Sequence, residues 1–382
     1  MKKTRYIICT IICLALLFNG TAASEPTESG ILTLNEAKEL ALKNNMQLKL
    51  QQIYIQQASD NYDKVYENNK RTSKGDYTDA AERAAADVAR KISIENAASN
   101  LRKAIFNRND LKRASDYNVT IAYYNILKSI YSLEDQKRNV ELKEKTLDAA
   151  EMKYRFDLTD KNSLTQAEDS LEAAKASYDK SLSDVKDNMA ALSKLIKRDL
   201  DFYSDKMDMN IILPNINDLD LGAIKKDNII NNPSFFTAKE QFDVAEYKLE
   251  LTEEKYDHYR GLPNRASEIM EKFEDILYEA QWNFDEIKYN YDEKEKELVI
   301  SLNNQFSSIN SMQESYKSQK KKIEEGESSL QKDKIKFQMG LITNSVLEQN
   351  QSSLENLKNQ LNIININMNI QYTSITQYSP LQ

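Results

Sequence analysis

The side chains able to do chemistry are few and scattered. His258 is the only histidine in 382 residues, so neither a His-based triad nor a multi-histidine metal site can be built. The seven glycines never fall close together, which excludes a Gly-rich phosphate loop. Carboxylates are abundant, but on charged helix faces they are solvated or paired with lysines at i,i+4. The basic run from Lys317 to Lys322 adjoins Glu324 and Glu325 and reads as a solvated helix face, not a binding patch. Trp282, placed among Tyr278 and Tyr289, is expected to pack in the core rather than stack on a ligand. No catalytic, cofactor-binding or metal-binding residue emerges, and no enzymatic step is expected.

Two short segments merit a functional reading instead. Asp157, Leu158, Thr159 and Asp160 stand 183 residues before Gly340, Leu341, Ile342 and Thr343. Gly340 can end a helix with φ > 0, and Asp157, at the matching place, is among the few other residues that tolerate it. Ser163 with Gln166, and Ser345 with Glu348, have the spacing of capping boxes that restart a helix. Both segments therefore read as tight helix-turn-helix tips, which either only turn the chain or also present a surface to a partner.

The elements that hold these tips repeat at the same spacing. Val119, Ile126, Leu133, Val140, Leu147 and Tyr154 recur at heptad intervals, then Leu164, Leu171, Tyr178, Val185 and Leu192 after a ten-residue phase break. Moving 183 residues on gives Leu302, Ile309, Tyr316, Ile323, Leu330 and Phe337, then Leu347, Leu354, Leu361, Met368 and Ile375. All are apolar or aromatic in a chain whose apolar content is 40%, so the sequence is a duplicated pair of long helical hairpins. The tyrosines on this seam, Tyr154, Tyr178 and Tyr316, are expected to pack.

Composition agrees with an all-α fold. Between Gly75 and Pro214 there is neither glycine nor proline, far too little turn punctuation for a β or α/β domain. Charged residues make up 29% and are interspersed, as on coiled-coil flanks. Residues 1–23 read as a signal peptide: Lys2, Lys3 and Arg5 precede an apolar run from Ile7 to Phe18, and Thr21, Ala22 and Ala23 offer a cleavage site. The run is too short for a membrane span. Both cysteines, Cys9 and Cys13, lie within it, so the exported chain would hold no disulfide. Removing this segment leaves 49 Lys+Arg against 60 Asp+Glu, a balance that argues against nucleic acid and anionic lipid.

The expected organisation is a linker at 24–32, a first helical repeat at 33–198, a linker at 199–220 and a second repeat at 221–382. Thr33 with Glu36 is a capping box that opens the first helix, running to about Lys70. A turn at Thr72 to Asp76 follows, then a long helix over about 79–157 and a short one over 163–198. The second repeat reads as 221–259 with a break at Asn231 to Pro233, a turn at Arg260 to Asn264, a long helix to Met339 and a last helix from about 345 to 379. At ~1.5 Å per residue the long helices span about 118 and 112 Å, and in each repeat the two short helices laid end to end nearly match the long one.

This arrangement resembles the TolC outer-membrane efflux family. The segments Lys153 to Glu168 and Lys336 to Asn350 are similar to that family's two tip motifs, and Leu32 to Asn45 resembles its opening helix, with a weaker echo at Leu221 to Asn232. The resemblance implies an exported subunit of an efflux or secretion assembly, a homo-oligomer (a trimer in that family) in the outer membrane. Its partners would be a membrane-fusion-type adaptor and an ATP-driven or other inner transporter. The tips named above would meet the adaptor. The family's top loops carry membrane-spanning strands of about 9–11 residues; the loops here are too short, so a helical domain without barrel strands is expected. A non-conducting structural or adhesive scaffold of the cell envelope is the alternative.

Overall fold

The computed structural model describes residues 31–70, 77–202, 206–263 and 266–379. The expected signal peptide, most of the first linker, the Thr72–Asp76 turn and Asn264 lie outside these residues. Among the described residues eight α-helices run in order: α1 Leu34–Asn44, α2 Met46–Asn69, α3 Ala80–Arg155, α4 Lys161–Ile196, α5 Leu221–Asn231, α6 Pro233–Arg260, α7 Ser267–Gln338 and α8 Asn344–Thr376. The two long ones, of 76 and 72 residues, measure about 114 and 108 Å.

Elements recur in pairs because their start signals recur. Thr33 and Asp220 cap α1 and α5, Asn45 and Asn232 cap α2 and α6, and α3 and α7 begin at Ala80 and Ser267, each pair 187 residues apart. Below the upper third the displacement becomes 183, because α7 is four residues shorter than α3. Four residues are close to one helical turn, so the seam keeps its facing after the deletion.

The helices form one layer. α2 and α4 pack on α3, while α6 and α8 lie between α3 and α7. Seam burial is greatest mid-length: Val119, Ile126, Val185, Leu192 and Ile309 are fully buried. It fades towards the tips, where Tyr154 is 41% exposed, so Tyr178 and Tyr316 pack against the cores as expected and Tyr154 does not. Near the tips fewer neighbouring elements remain to cover the seam.

Three departures from the sequence reading have local causes. The first helix is broken at Asn45, whose ψ of 100° leaves the helical region and whose Oδ1 accepts from the Gln47 N–H at 2.9 Å. The linker is a strap rather than an irregular connection: β1 (Ile31–Leu32) pairs in parallel with β2 (Lys206–Met207), adding a minimal sheet to an otherwise helical chain. Tyr123 Oη reaches the Leu32 and Asp208 carbonyls at 2.9 and 3.1 Å, and Asn365 and Asn369 donate to the Ile211 and Ile212 carbonyls. The Asp208, Ile211 and Ile212 carbonyls gain side-chain donors in this way, and the Leu32 carbonyl, which already accepts from the Asp208 N–H, gains a second.

Trp282 is the third. It is 77% exposed, with Tyr278 at 64% and Tyr289 at 65%, because this face of α7 is turned away from α6 and α8. At the upper end α2 and α3 are joined by ten residues, α6 and α7 by six. Neither length accommodates a pair of membrane-crossing strands of about 9–11 residues each. Among the described residues no helix is long and apolar enough to cross a membrane.

Candidate functional site: the two hairpin tips

The helices end at the two tips by the same hydrogen bonds. In the first, the Leu158 N–H donates to the Lys153 carbonyl at 2.8 Å and the Asp157 N–H to Tyr154 at 3.0 Å. In the second, Leu341 donates to Lys336 at 2.8 Å and Gly340 to Phe337 at 2.9 Å. This crossed pair is a Schellman motif, which requires a left-handed residue just past the helix end. Asp157 and Gly340 supply it, with φ of 53° and 72°.

The helices restart earlier than the capping boxes predicted. Asp160 and Thr343, not Ser163 and Ser345, are the N-caps. The Asp160 carboxylate accepts from the Ser163 N–H at 2.8 Å and the Ser163 hydroxyl at 2.7 Å. A charged acceptor at the positive end of a helix outcompetes a hydroxyl, so Ser163 becomes a donor in the first turn. These bonds, the side-chain one first, hold the Asp160 carboxyl below its usual pKa of 3.8. Thr343 Oγ1 accepts from the Val346 N–H at 3.4 Å. Glu348, expected to close a box with Ser345, pairs with Lys145 at 2.9 Å instead, binding the second tip's ascending helix to α3.

All eight expected tip residues thus lie in two matching turns. Leu158 and Leu341 are 74% and 66% exposed, Asp160, Gly340 and Thr343 are also exposed, and Thr159 and Ile342 are half-buried. Sequence reasoning missed an extension of this surface. Met152, Tyr154, Phe156 and Leu158 are all exposed, and so are Ile335, Phe337, Met339 and Leu341, the residues 183 further on. Four apolar side chains therefore recur, position for position, on both tips. The signal was in the sequence as an apolar alternation that runs through the last seam residues before each turn, Tyr154 and Phe337, and on into the turn.

Among the described residues no group of three metal-capable side chains comes together. His258 sits in the last turn of α6, beside the upper bend, as the sequence placed it.

No protein-family model matches the chain, and no curated protein matches it by sequence. Solved structures do. The Campylobacter jejuni CmeC outer membrane channel aligns with TM-score 0.62 at 14% identity over 94% of this chain and 90% of that one. The outer-membrane channel OprN aligns with TM-score 0.66 at 14% identity, covering 90% and 89%. The outer membrane protein VceC from Vibrio cholerae aligns with TM-score 0.61 at 12% identity, covering 90% and 94%. The likeness is one of fold: the chain shares its long helical hairpins with these outer-membrane channels.

Proposed function

We propose that the chain is an exported, conduit-forming helical subunit of an efflux or secretion assembly, which meets an adaptor at its two tips and serves a transporter in the inner membrane. The observation that carries this reading is the apolar quartet repeated on both tips. A turn that only reverses the chain has no need of eight exposed apolar side chains, each of which costs solubility. Two similar apolar docking faces suit a ring in which every subunit offers its tips to the same partner. The layer also has two unpartnered edges, the outer faces of α2 with α4 and of α7, so assembly into a closed, head-to-tail ring is expected. A trimer follows the arrangement the fold resemblance implies. Energy would come from the transporter.

The test is deletion with complementation in a strain whose export is measured, together with electron micrographs of the purified protein. Loss of export, restored by the intact chain but not by Leu158→Asp/Leu341→Asp, supports a conduit. A solid rod, or export unchanged by deletion, overturns it. The upper connections of ten and six residues favour one competing reading, a non-conducting envelope scaffold that keeps the hairpins. Under that reading deletion alters cell-envelope integrity and leaves export unchanged.

A further inference from the structure

Sixteen consecutive residues of α7, from Leu298 to Gln313, carry no charge, although 29% of the chain is charged and the six residues before them, Asp292 to Glu297, all are. α8 is likewise uncharged from Asn359 to its end at Thr376. The two stretches face each other in the antiparallel hairpin. Leu302, Ile309, Met368 and Ile375 form one buried cluster between them, and below it Gln319 Nε2 donates to the Leu357 carbonyl at 2.9 Å and to Gln360 Oε1 at 3.2 Å. Burial in that cluster explains the apolar positions but not the rest. Seven of the eleven residues from Ser301 to Ser311 are Ser or Asn, weaker helix formers than the Lys, Glu and Gln that a solvated face favours.

The strap does not explain them either, because they lie on the other side of the layer. Tyr372 and Thr376, seven and eleven residues past Asn365, line a hollow with Ala223 and Asp227, so α5 shares the side of α8 on which Asn365 holds the strap. Glu295 marks the same side of α7, since it pairs with Lys225 of α5 at 2.8 Å. At ~100° per residue, Ser301, Asn304 and Ser308, six, nine and thirteen residues past Glu295, are turned away from it. So is Gln371, six residues past Asn365. On that far side Ser301, Asn304, Gln305, Ser308 and Gln371 line an open groove of about 480 Å³, with Glu297 and Ile300 at its upper end. Gln305 Oε1 is buried and has no hydrogen-bond partner. An acceptor in that state carries a desolvation cost that a donor from a bound molecule would remove.

We propose that the α7–α8 groove binds an uncharged, hydroxyl-rich molecule of oligosaccharide type, as cargo of the conduit. Its role as cargo rests on the conduit reading above; the binding does not. Carboxamides and hydroxyls both donate and accept, so Ser301, Asn304, Gln305, Ser308 and Gln371 can answer the paired donor and acceptor of each sugar hydroxyl. Ile300, 61% exposed, offers an apolar surface to the C–H face of a ring. The Glu297 carboxylate at the rim accepts from hydroxyls. The groove suits neither sign of charge: its described lining holds one carboxylate, too little for a polycation, and no Lys or Arg to hold an anion. Its volume lies within the range of small-molecule sites, about 300–1,000 Å³.

The test uses the full-length exported chain, which has no cysteine beyond Cys13. Ser308→Cys is labelled with a maleimide dye, and Asn310→Cys, fifteen residues past Glu295 and on its side of α7, is the control. Maltotetraose or tetra-N-acetylchitotetraose should slow labelling at 308 about tenfold and leave 310 unchanged. Deacetylated chitotetraose, a cation, and tetragalacturonate, an anion, should slow neither. Calorimetric titration of the unsubstituted chain with the same four sugars makes the comparison without a label. Gln305→Leu removes the unpaired buried acceptor, so urea stability should hold or rise while binding weakens about tenfold. A residue with a structural role alone would move stability and leave binding as it was. Binding of no uncharged tetrasaccharide, or equal binding of charged and uncharged ones, overturns the proposal and leaves the conduit reading standing. Selective binding in a chain whose deletion leaves export unchanged does the reverse: the site stands and its role as a cargo site falls.

Discussion

Arg102 on α3 holds Glu240 on α6 by three hydrogen bonds, Nε to both carboxylate oxygens and Nη2 to one, at 2.8–3.0 Å. Glu240 is only 6% exposed, so this pair locks the two repeats together where water hardly reaches. Although burial opposes the charge, the Glu240 and Glu95 carboxylates raise the pKa of the Arg102 guanidinium above its usual value. Arg102→Ala strands a buried carboxylate and should cost about 2–4 kcal/mol. The double variant Arg102→Tyr/Glu240→Ile installs the residues found at the repeat-related positions. It should lose less than the sum of its parts, because neither side is then left charged and unpaired. Urea unfolding midpoints for the four proteins check both statements.

The tip turns differ in one testable respect, since one uses Asp157 and the other Gly340 at the same left-handed place. A side chain added at Gly340 meets nothing within 4 Å, so Gly340→Ala carries only a backbone penalty of about 1 kcal/mol. Asp157→Gly should relieve a smaller strain of the same kind and slow hydrogen exchange at the Leu158 amide. Exchange at Leu341 should quicken in Gly340→Ala. Equal exchange in all three proteins would contradict the Schellman assignment.

Acid should loosen both ends before the middle. Asp79, held by Lys272 and by the Glu82 and Ala81 N–H groups, Asp160, held by Ser163, and Glu348, held by Lys145, all have lowered pKa values in the fold. A lowered folded pKa stabilises above the unfolded values, 3.8 for Asp and 4.5 for Glu, and that contribution is lost as pH falls through the folded pKa. Burial raises Asp110 and Asp135 mid-length, so their contribution has the opposite sign and is present at low pH. Hydrogen exchange between pH 5 and pH 3 should therefore quicken first at residues 79–82, 160–163 and 343–348.

Tyr123→Phe tests the strap. Its hydroxyl reaches two carbonyls on the two strands and has burial as the leading cause of a raised pKa. Losing that donor leaves the part-buried Asp208 carbonyl without it, whereas the Leu32 carbonyl keeps the Asp208 N–H at 3.1 Å, and should cost about 1 kcal/mol. The loss should be concentrated in faster exchange over residues 206–212, with the long helices unaffected.

The tip surface makes a prediction about partners. Leu158→Asp and Leu341→Asp change exposed residues, so helix content and oligomeric state should be unchanged while adaptor capture falls about tenfold or more. Because the quartets are duplicated, each single variant should retain part of the binding. Capture unaffected in the double variant would leave the tips as turns alone.

Much of this was written in the spacing of residues. The seam from Val119 to Leu192 and its copy from Leu302 to Ile375 required two long hairpins, since heptad periodicity on this scale is buried only by a neighbouring helix. The positions of the turns followed from Asp157 and Gly340, because few residues accept φ > 0. The break at Asn45 was legible only by comparison with Asn232: without the proline that follows the latter, an asparagine in a helical run carries no distinctive signal.

Other features depended on what lies across the fold. Periodicity reports that a helix has an apolar face, not which helix covers it, so Trp282 read as core although it stands at an open edge. Whether Asp160 or Ser163 caps α4 is settled by geometry at the turn, where a carboxylate at the helix dipole displaces a hydroxyl. The strap over Tyr123, Asn365 and Asn369 pairs groups 85 to 157 residues apart, a proximity that no local pattern encodes. Local spacing thus determined the helices, the bends and the duplication. Which faces meet, and which remain open to a second chain, was decided only when the helices packed side by side, because burial belongs to pairs of surfaces rather than to single segments.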